Sequence, residues 1–180
     1  MINLYNIDIV EANFNEALNT IENILKIDTI ENVDKDKAFI LYKLNRIEEA
    51  KKICLFYLKK NNKDIACLNI IGQCLFHEKN YDEAVKIFEN VLKIDSKNLS
   101  ALNSLAKTYR EKHERLKAEE CYLKALKIDN LSFYLLNNIA GFYREELSYD
   151  KAIDYYKQAL SINPNNAYIY NNLSKIYFDL

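Results

Sequence analysis

Ala84-Val85-Lys86-Ile87-Phe88-Glu89-Asn90-Val91-Leu92 returns 34 residues later as Ala118-Glu119-Glu120-Cys121-Tyr122-Leu123-Lys124-Ala125-Leu126, and again as Ala152-Ile153-Asp154-Tyr155-Tyr156-Lys157-Gln158-Ala159-Leu160. In each copy an alanine is followed four residues on by an aromatic ring, then by Val91, Ala125 or Ala159, then by leucine. Spacings of three and four place these residues on one face of a helix. A helical unit that recurs at a fixed period specifies a stack of supersecondary units, each burying its apolar face against the next.

The residues ahead of each copy repeat as well. They read Leu68-x-x-Ile71-Gly72-x-x-Leu75, Leu102-x-x-Leu105-Ala106-x-x-Tyr109, Leu136-x-x-Ile139-Ala140-x-x-Tyr143 and Tyr170-x-x-Leu173-Ser174-x-x-Tyr177. Apolar residues at i, i+3 and i+7 form a second helical stripe. A small residue always follows the central Leu or Ile, so a neighbouring helix can come close to the backbone there. Small sites on both helices of a pair suit tight antiparallel packing across a short connection.

Punctuation agrees with this division. Asn80, Ser148 and Asn13 stand before acidic first turns and read as helix caps. Leu-Lys-Ile-Asp at 25–28, 92–95 and 126–129, and Leu160-Ser161-Ile162-Asn163-Pro164, read as stops. The Tyr series Tyr109, Tyr122, Tyr143, Tyr156 and Tyr177 reads as core by register. Three full units result, 65–98, 99–132 and 133–166, followed by a terminal helix over 167–180. Two degenerate units precede them, 1–30 and 31–64. In the second, Asp34 and Lys37 stand where later units carry Leu68 and Ile71, which predicts a short or skewed first helix. Degenerate end units act as caps, having one neighbour to bury against.

Composition supports an all-helical chain. Among 180 residues 49% are hydrophobic and 14 are tyrosine, enough to build a core; only 2 Gly and 1 Pro are present, so turns needing positive φ and phosphate-cradling loops are poorly supplied. With 25 Lys+Arg against 26 Asp+Glu the net charge is −1, which provides no general field for nucleic acid or an anionic membrane. The N-terminus lacks the pattern of a signal peptide and no apolar run reaches the length of a membrane span, so a cytoplasmic protein is expected. Cys54, Cys67, Cys74 and Cys121 sit among apolar residues without framework spacing and read as reduced, buried thiols.

The quoted residues resemble the tetratricopeptide repeat family, whose pattern is a bulky residue, Leu-Gly, Tyr, then Ala, Phe, Ala and Pro over one helix-turn-helix. The resemblance extends over essentially the whole chain. It implies an α-solenoid of antiparallel helix pairs in a right-handed superhelix, about five repeats plus a terminal half repeat, forming a single domain over 1–180. The 34-residue spacing and the neutral charge argue against the related 35-residue repeat that reads RNA.

In the resembled family one face of each first helix lines a concave surface. Here that face carries Asn69 and Gln73; then Asn103, Lys107 and Arg110; then Tyr134, Asn137, Asn138 and Arg144; then Tyr168, Asn171, Asn172 and Lys175. The resemblance makes these residues a candidate peptide-binding groove. Asn offers both donor and acceptor and can pair with an extended backbone whatever its side chains. Helix propensity does not favour the Asn row, although an Asn-rich composition brings some amides into register by itself. Lys107, Arg110, Arg144 and Lys175 would suit an acidic partner, while Tyr134 and Tyr168 would stack on a ligand. The two-carboxylate clamp by which some family members hold chaperone tails is not reproduced, since Asn103 and Lys107 stand in reversed order.

Catalytic and metal chemistry are thinly supplied. With only 2 His, Cys74-x-x-His77 and Cys67 make the sole metal-like constellation, and it lacks a fourth ligand. Glu119-Glu120 and Glu145-Glu146 read as a solvated, Lys-flanked surface rather than an acid/base pair. The expectation is therefore a protein-interaction scaffold with no enzyme activity and no cofactor, binding a peptide or protein segment. The alternatives are a targeting or regulatory arm of a larger enzyme such as a glycosyltransferase, and a peptide-sensing regulator. On the terminal helix, Ile169, Leu173, Ile176 and Leu180 are expected to lack full cover, which would permit self-association.

Overall fold

The computed structural model describes residues 13–25 and 31–180. Among these, all regular structure is helical: α1 (Phe14–Leu25), α2 (Glu31–Lys43), α3 (Ile47–Lys60), α4 (Ile65–His77), α5 (Tyr81–Ile94), α6 (Leu99–Glu111), α7 (Arg115–Ile128), α8 (Phe133–Glu145), α9 (Tyr149–Ile162) and α10 (Ala167–Asp179). The first helix expected for unit 1–30 and the Lys26-Ile27-Asp28 stop lie outside the described residues. The described residues form two compact units, one up to Ser96 and one from Lys97 onward.

Within each unit the quoted alanines and rings are where the helices meet. In the first, Ala17, Ala38, Ala50 and Ala84 are fully buried, with Phe88 and Val91 beside Ala84 on α5. In the second, Ala106, Ala118, Ala125, Ala140, Ala152 and Ala159 are fully buried, and the rings of Tyr122 and Tyr156 are about as deeply enclosed. Burying one such ring contributes on the order of 1.5–3 kcal/mol. The helix α2 is as long as the other first helices, at 13 residues, so the expected shortening is corrected. Polar Asp34 and Lys37 are accommodated because Tyr57 donates its hydroxyl to Asp34 Oδ2 at 2.7 Å and Lys37 pairs with Glu22 at 3.1 Å.

The turns inside the helix pairs carry a regularity that the glycine count hides. Asn45, Lys79, His113 and Leu147 all have positive φ, between 56° and 62°, and fall 34 residues apart. Each ends a first helix in the same way. The Lys79 N–H donates to Phe76 O at 3.0 Å and the Asn80 N–H to Leu75 O at 2.8 Å, and the same two bonds form at 45 and 46, 113 and 114, and 147 and 148. This paired closure satisfies the last carbonyls of the helix and requires one left-handed residue, normally glycine. The expectation that such turns are scarce is thus overturned.

The caps differ from expectation. Asn80 and Ser148 make no side-chain cap bond; their backbone stands at ψ 63° and 65°, away from the extended ψ of 99–104° at the residues that do cap, Asp64, Asn98 and Asn166. Asn13 does cap, accepting from the Glu16 N–H at 3.3 Å. Side-chain capping is found mainly at the other junctions: Asp64, Asn98 and Asn166 accept from Cys67, Ala101 and Ile169 N–H groups at 3.0, 3.0 and 3.1 Å. Each such bond satisfies a donor the helix cannot and is worth about 1 kcal/mol.

On α10, Ile169, Leu173 and Ile176 are buried, contrary to expectation, because they face the neighbouring helices of their own unit. Its exposed large apolar residues include Tyr170 and Tyr177, on the face that other first helices give to their second helix, together with Phe178 and Leu180. Tyr177 is therefore not core, at 58% exposure.

Candidate functional site

In the second unit α6, α8 and α10 lie side by side, joined by the residues expected to face a ligand. The Asn138 amide donates through Nδ2 to Asn103 Oδ1 at 2.9 Å. Arg110 Nε stands 3.3 Å from Glu145 Oε2, and Arg144 Nη1 donates to Asn172 Oδ1 at 2.8 Å. The polar row therefore spends part of its hydrogen-bonding capacity tying helices together. Asn172 illustrates this most strongly, being only 3% exposed.

The remaining residues of the row are placed as follows. Tyr134 and Tyr168 stand open at 77% and 62% exposure; Asn171 and Lys175 are also exposed, and Lys107 is half-buried. Asn137 is half-buried with its Oδ1 enclosed and unbonded. In the first unit, Asn69 and Gln73 are half-buried on α4, and Gln73 Oε1 is likewise enclosed and unbonded. Ile70, which shares their helix face in projection, is buried in the core of that unit.

Two tyrosine hydroxyls missed by register alone reach this layer from the second helices. A β-carbon built on Gly141 would lie 3.9 Å from the Tyr156 hydroxyl and near nothing else, so the bare glycine leaves a notch in α8 with that hydroxyl at its floor. Burial pushes the Tyr156 phenol up to about 12, against the opposing charge of Arg144. Tyr122 is similarly raised to about 12 by burial, with Arg110 opposing, and its hydroxyl has no hydrogen-bond partner. The signal for the notch was the glycine itself, one of two in the chain.

The first unit has a separate open cleft of about 430 Å³ between α2 and α3, lined by Asp34, Lys37, Leu41, Ile53, Phe56 and Tyr57 among others. It lies where Asp34 and Lys37 replace the bulky residues of later units. Cys54, Cys67, Cys74 and Cys121 are free and buried. Burial pushes the Cys74 thiol up to about 12, and hydrogen bonding to Cys67 together with burial raises Cys54, which keeps Cys54 and Cys74 protonated at neutral pH. Among the described residues no group of three His, Cys, Asp or Glu side chains could hold a metal ion. Among the same residues no helix is long and apolar enough to cross a membrane. Glu120 pairs with Lys124, Glu145 with Arg110, and Glu146 with Arg115.

Residues 64–130 match the family model described as tetratricopeptide repeat, and residues 142–180 match one described as TPR repeat. Among solved structures the chain is similar to TTC0263, a thermophilic TPR protein in Thermus thermophilus, at 15% identity over 98% of this chain and 96% of that one, with a TM-score of 0.88. It is also similar to pilF of Pseudomonas aeruginosa, at 18% identity over 99% and 83%, TM-score 0.71. A third similarity is to MamA from Desulfovibrio magneticus RS-1, at 15% identity over 92% and 94%, TM-score 0.65. At these identities the likeness is one of fold. None of the curated proteins matches the chain.

Proposed function

The chain belongs to the tetratricopeptide repeat family, and on that premise we propose that it is a protein-interaction scaffold whose second unit binds a segment of another protein across α6, α8 and α10. Proteins of this fold typically serve as interaction scaffolds. The observation that carries the reading is the pair Tyr134 and Tyr168. They occupy the same place on successive first helices, 34 residues apart, and both rings stand open beside a row of amides. Large aromatic surface held out in water at repeated positions favours contact with a partner, since tyrosine supplies area and a polar tip at low entropic cost. The half-buried amides between them can hold an extended backbone.

The test replaces both rings. Wild-type protein and the Tyr134→Ala/Tyr168→Ala variant are immobilised at equal density and exposed to lysate of the source cell, with helicity of both checked by circular dichroism. Proteins held by the wild type and lost from the variant support the reading. Equal retention by both, with helicity intact, sinks it. The rings are better targets than Asn138 and Asn172, whose amides also bind neighbouring helices.

A further inference from the structure

The chain has four arginines, and three are matched with carboxylates: Arg46 with Glu49 at 2.6 Å, Arg110 with Glu145 at 3.3 Å and Arg115 with Glu146 at 3.0 Å. Among the described residues Arg144 is the exception. It is half-buried, and its hydrogen bond goes to a neutral amide, Asn172 Oδ1. The nearest acidic neighbour in sequence, Glu145, is engaged by Arg110. A guanidinium carries five N–H donors in a planar fork shaped for a carboxylate, and a single bond to an amide oxygen leaves most of that fork unused.

The second observation is Gly141, one turn before Arg144 on the same helix face. A glycine inside a helix is costly relative to alanine, and packing does not require this one, because an added β-carbon would meet only the Tyr156 hydroxyl at 3.9 Å. The other glycine is different, since a β-carbon on Gly72 would stand 2.5 Å from the Phe88 ring. Gly141 thus keeps open a space that the fold itself has no use for. The Tyr156 hydroxyl lies at that space, Arg144 stands one helical turn along α8 with its charge acting on the Tyr156 phenol, and Tyr134 and Tyr168 are exposed on the first helices.

We infer that the Gly141 notch is a recognition subsite for one acidic side chain of the bound segment, its carboxylate held by the Arg144 guanidinium and the Tyr156 hydroxyl. This rests on the proposed binding across α6, α8 and α10 and specifies its chemistry. The glycine lets the partner's side chain approach the α8 backbone. The fork of Arg144 then receives both carboxylate oxygens, and Tyr156 donates a further hydrogen bond. Arg110, which is paired with Glu145, acts on Tyr156 less strongly than Arg144 does.

The test uses a library of random 12-residue peptides with blocked C-termini, so that only side chains supply carboxylates, selected on the intact chain. The tightest binder is synthesised as a C-terminal amide, together with versions carrying Asp→Asn or Glu→Gln at each acidic position. Affinities are measured by calorimetry against wild type, Arg144→Gln, Arg144→Lys, Gly141→Ala and the Tyr134→Ala/Tyr168→Ala variant. At one acidic position the amide is expected to weaken binding to wild type roughly 10-fold, but less than about 2-fold to Arg144→Gln. Gly141→Ala, which leaves the Arg144–Asn172 bond in place, is expected to raise the melting temperature while weakening the peptide several-fold. That opposition separates a ligand site from a structural role, and it serves should Arg144→Gln fold poorly. Binding that depends on the tyrosines but tolerates loss of every peptide carboxylate, or is unaltered in Gly141→Ala, overturns the subsite alone. If no selected peptide depends on Tyr134 and Tyr168, the wider binding proposal falls with it.

Discussion

A β-carbon placed on Gly72 would stand 2.5 Å from Cε1 and 2.7 Å from Cζ of Phe88, so the ring fills the space that a side chain on α4 would need. The two helices approach each other through this contact. Gly72→Ala is expected to lower stability by about 1–3 kcal/mol, the usual cost of forcing one carbon into a packed core. Gly141→Ala is expected to raise it by about 1 kcal/mol, because the new methyl has room and the helix gains a better former. Urea denaturation followed at 222 nm measures both. Midpoint shifts of the same sign would contradict the packing difference between the two sites.

Leu147 sits at φ 56° with 72% of its surface exposed. A branched residue in the left-handed region costs roughly 1–2 kcal/mol, and here the strain is held by the two N–H bonds that close α8. Leu147→Gly should therefore stabilise the second unit by about 1 kcal/mol, whereas Leu147→Ala, which keeps a β-carbon, should not. An equal gain from both substitutions would mean that the side chain, and not the backbone, is the source.

These two sites mark where the sequence is legible and where it is not. Period, helix faces and the alanine-and-ring seam follow from apolar spacing, which the fold obeys because burial drives it. The left-handed turn at 45, 79, 113 and 147 leaves no such trace, since Asn, Lys, His and Leu share no chemistry and tertiary packing imposes the φ value. Asn103 and Asn138 were readable as members of a row. Their bond to each other was not, because a helix face does not disclose which amide turns toward a neighbour and which toward solvent.

Burial raises the phenols of Tyr122 and Tyr156 to about 12 and raises those of Tyr143 and Tyr155 as well; Tyr143 also donates to Glu119 at 2.7 Å. The Cys74 thiol is likewise pushed up to about 12, by burial and then by the charge of Glu78. In each case the folded chain holds its proton after the unfolded chain, titrating near 9 for thiols and 10 for phenols, has released it. Stability is therefore fully present below about pH 9 and falls as pH rises from there toward 12. Denaturation midpoints across pH 7–12 are expected to decline in that window, and Tyr122→Phe should lessen the decline. At neutral pH the same variant should cost little, because the hydroxyl it removes is buried without a partner. A midpoint that rises between pH 10 and 12 would reverse the assigned sign.

Asp34 and Lys37 occupy the seam positions that later units fill with leucine and isoleucine, and the cleft between α2 and α3 results. The two residues should nevertheless respond differently to replacement. Lys37 is partly exposed and pairs with a more exposed Glu22, an ion pair worth little in water, so Lys37→Ile should add apolar burial and stabilise the first unit by about 1 kcal/mol. Asp34 accepts from the hydroxyl of Tyr57, a residue only 7% exposed, at 2.7 Å. Asp34→Leu removes that acceptor and should destabilise by about 1–3 kcal/mol despite its added apolar surface. Adding Tyr57→Phe removes the hydroxyl too and should recover most of the loss, giving a coupling between the two sites of about 1 kcal/mol or more in a double-mutant cycle. Additive effects at 34 and 57 would show that the polar seam of α2 is held by something other than this bond.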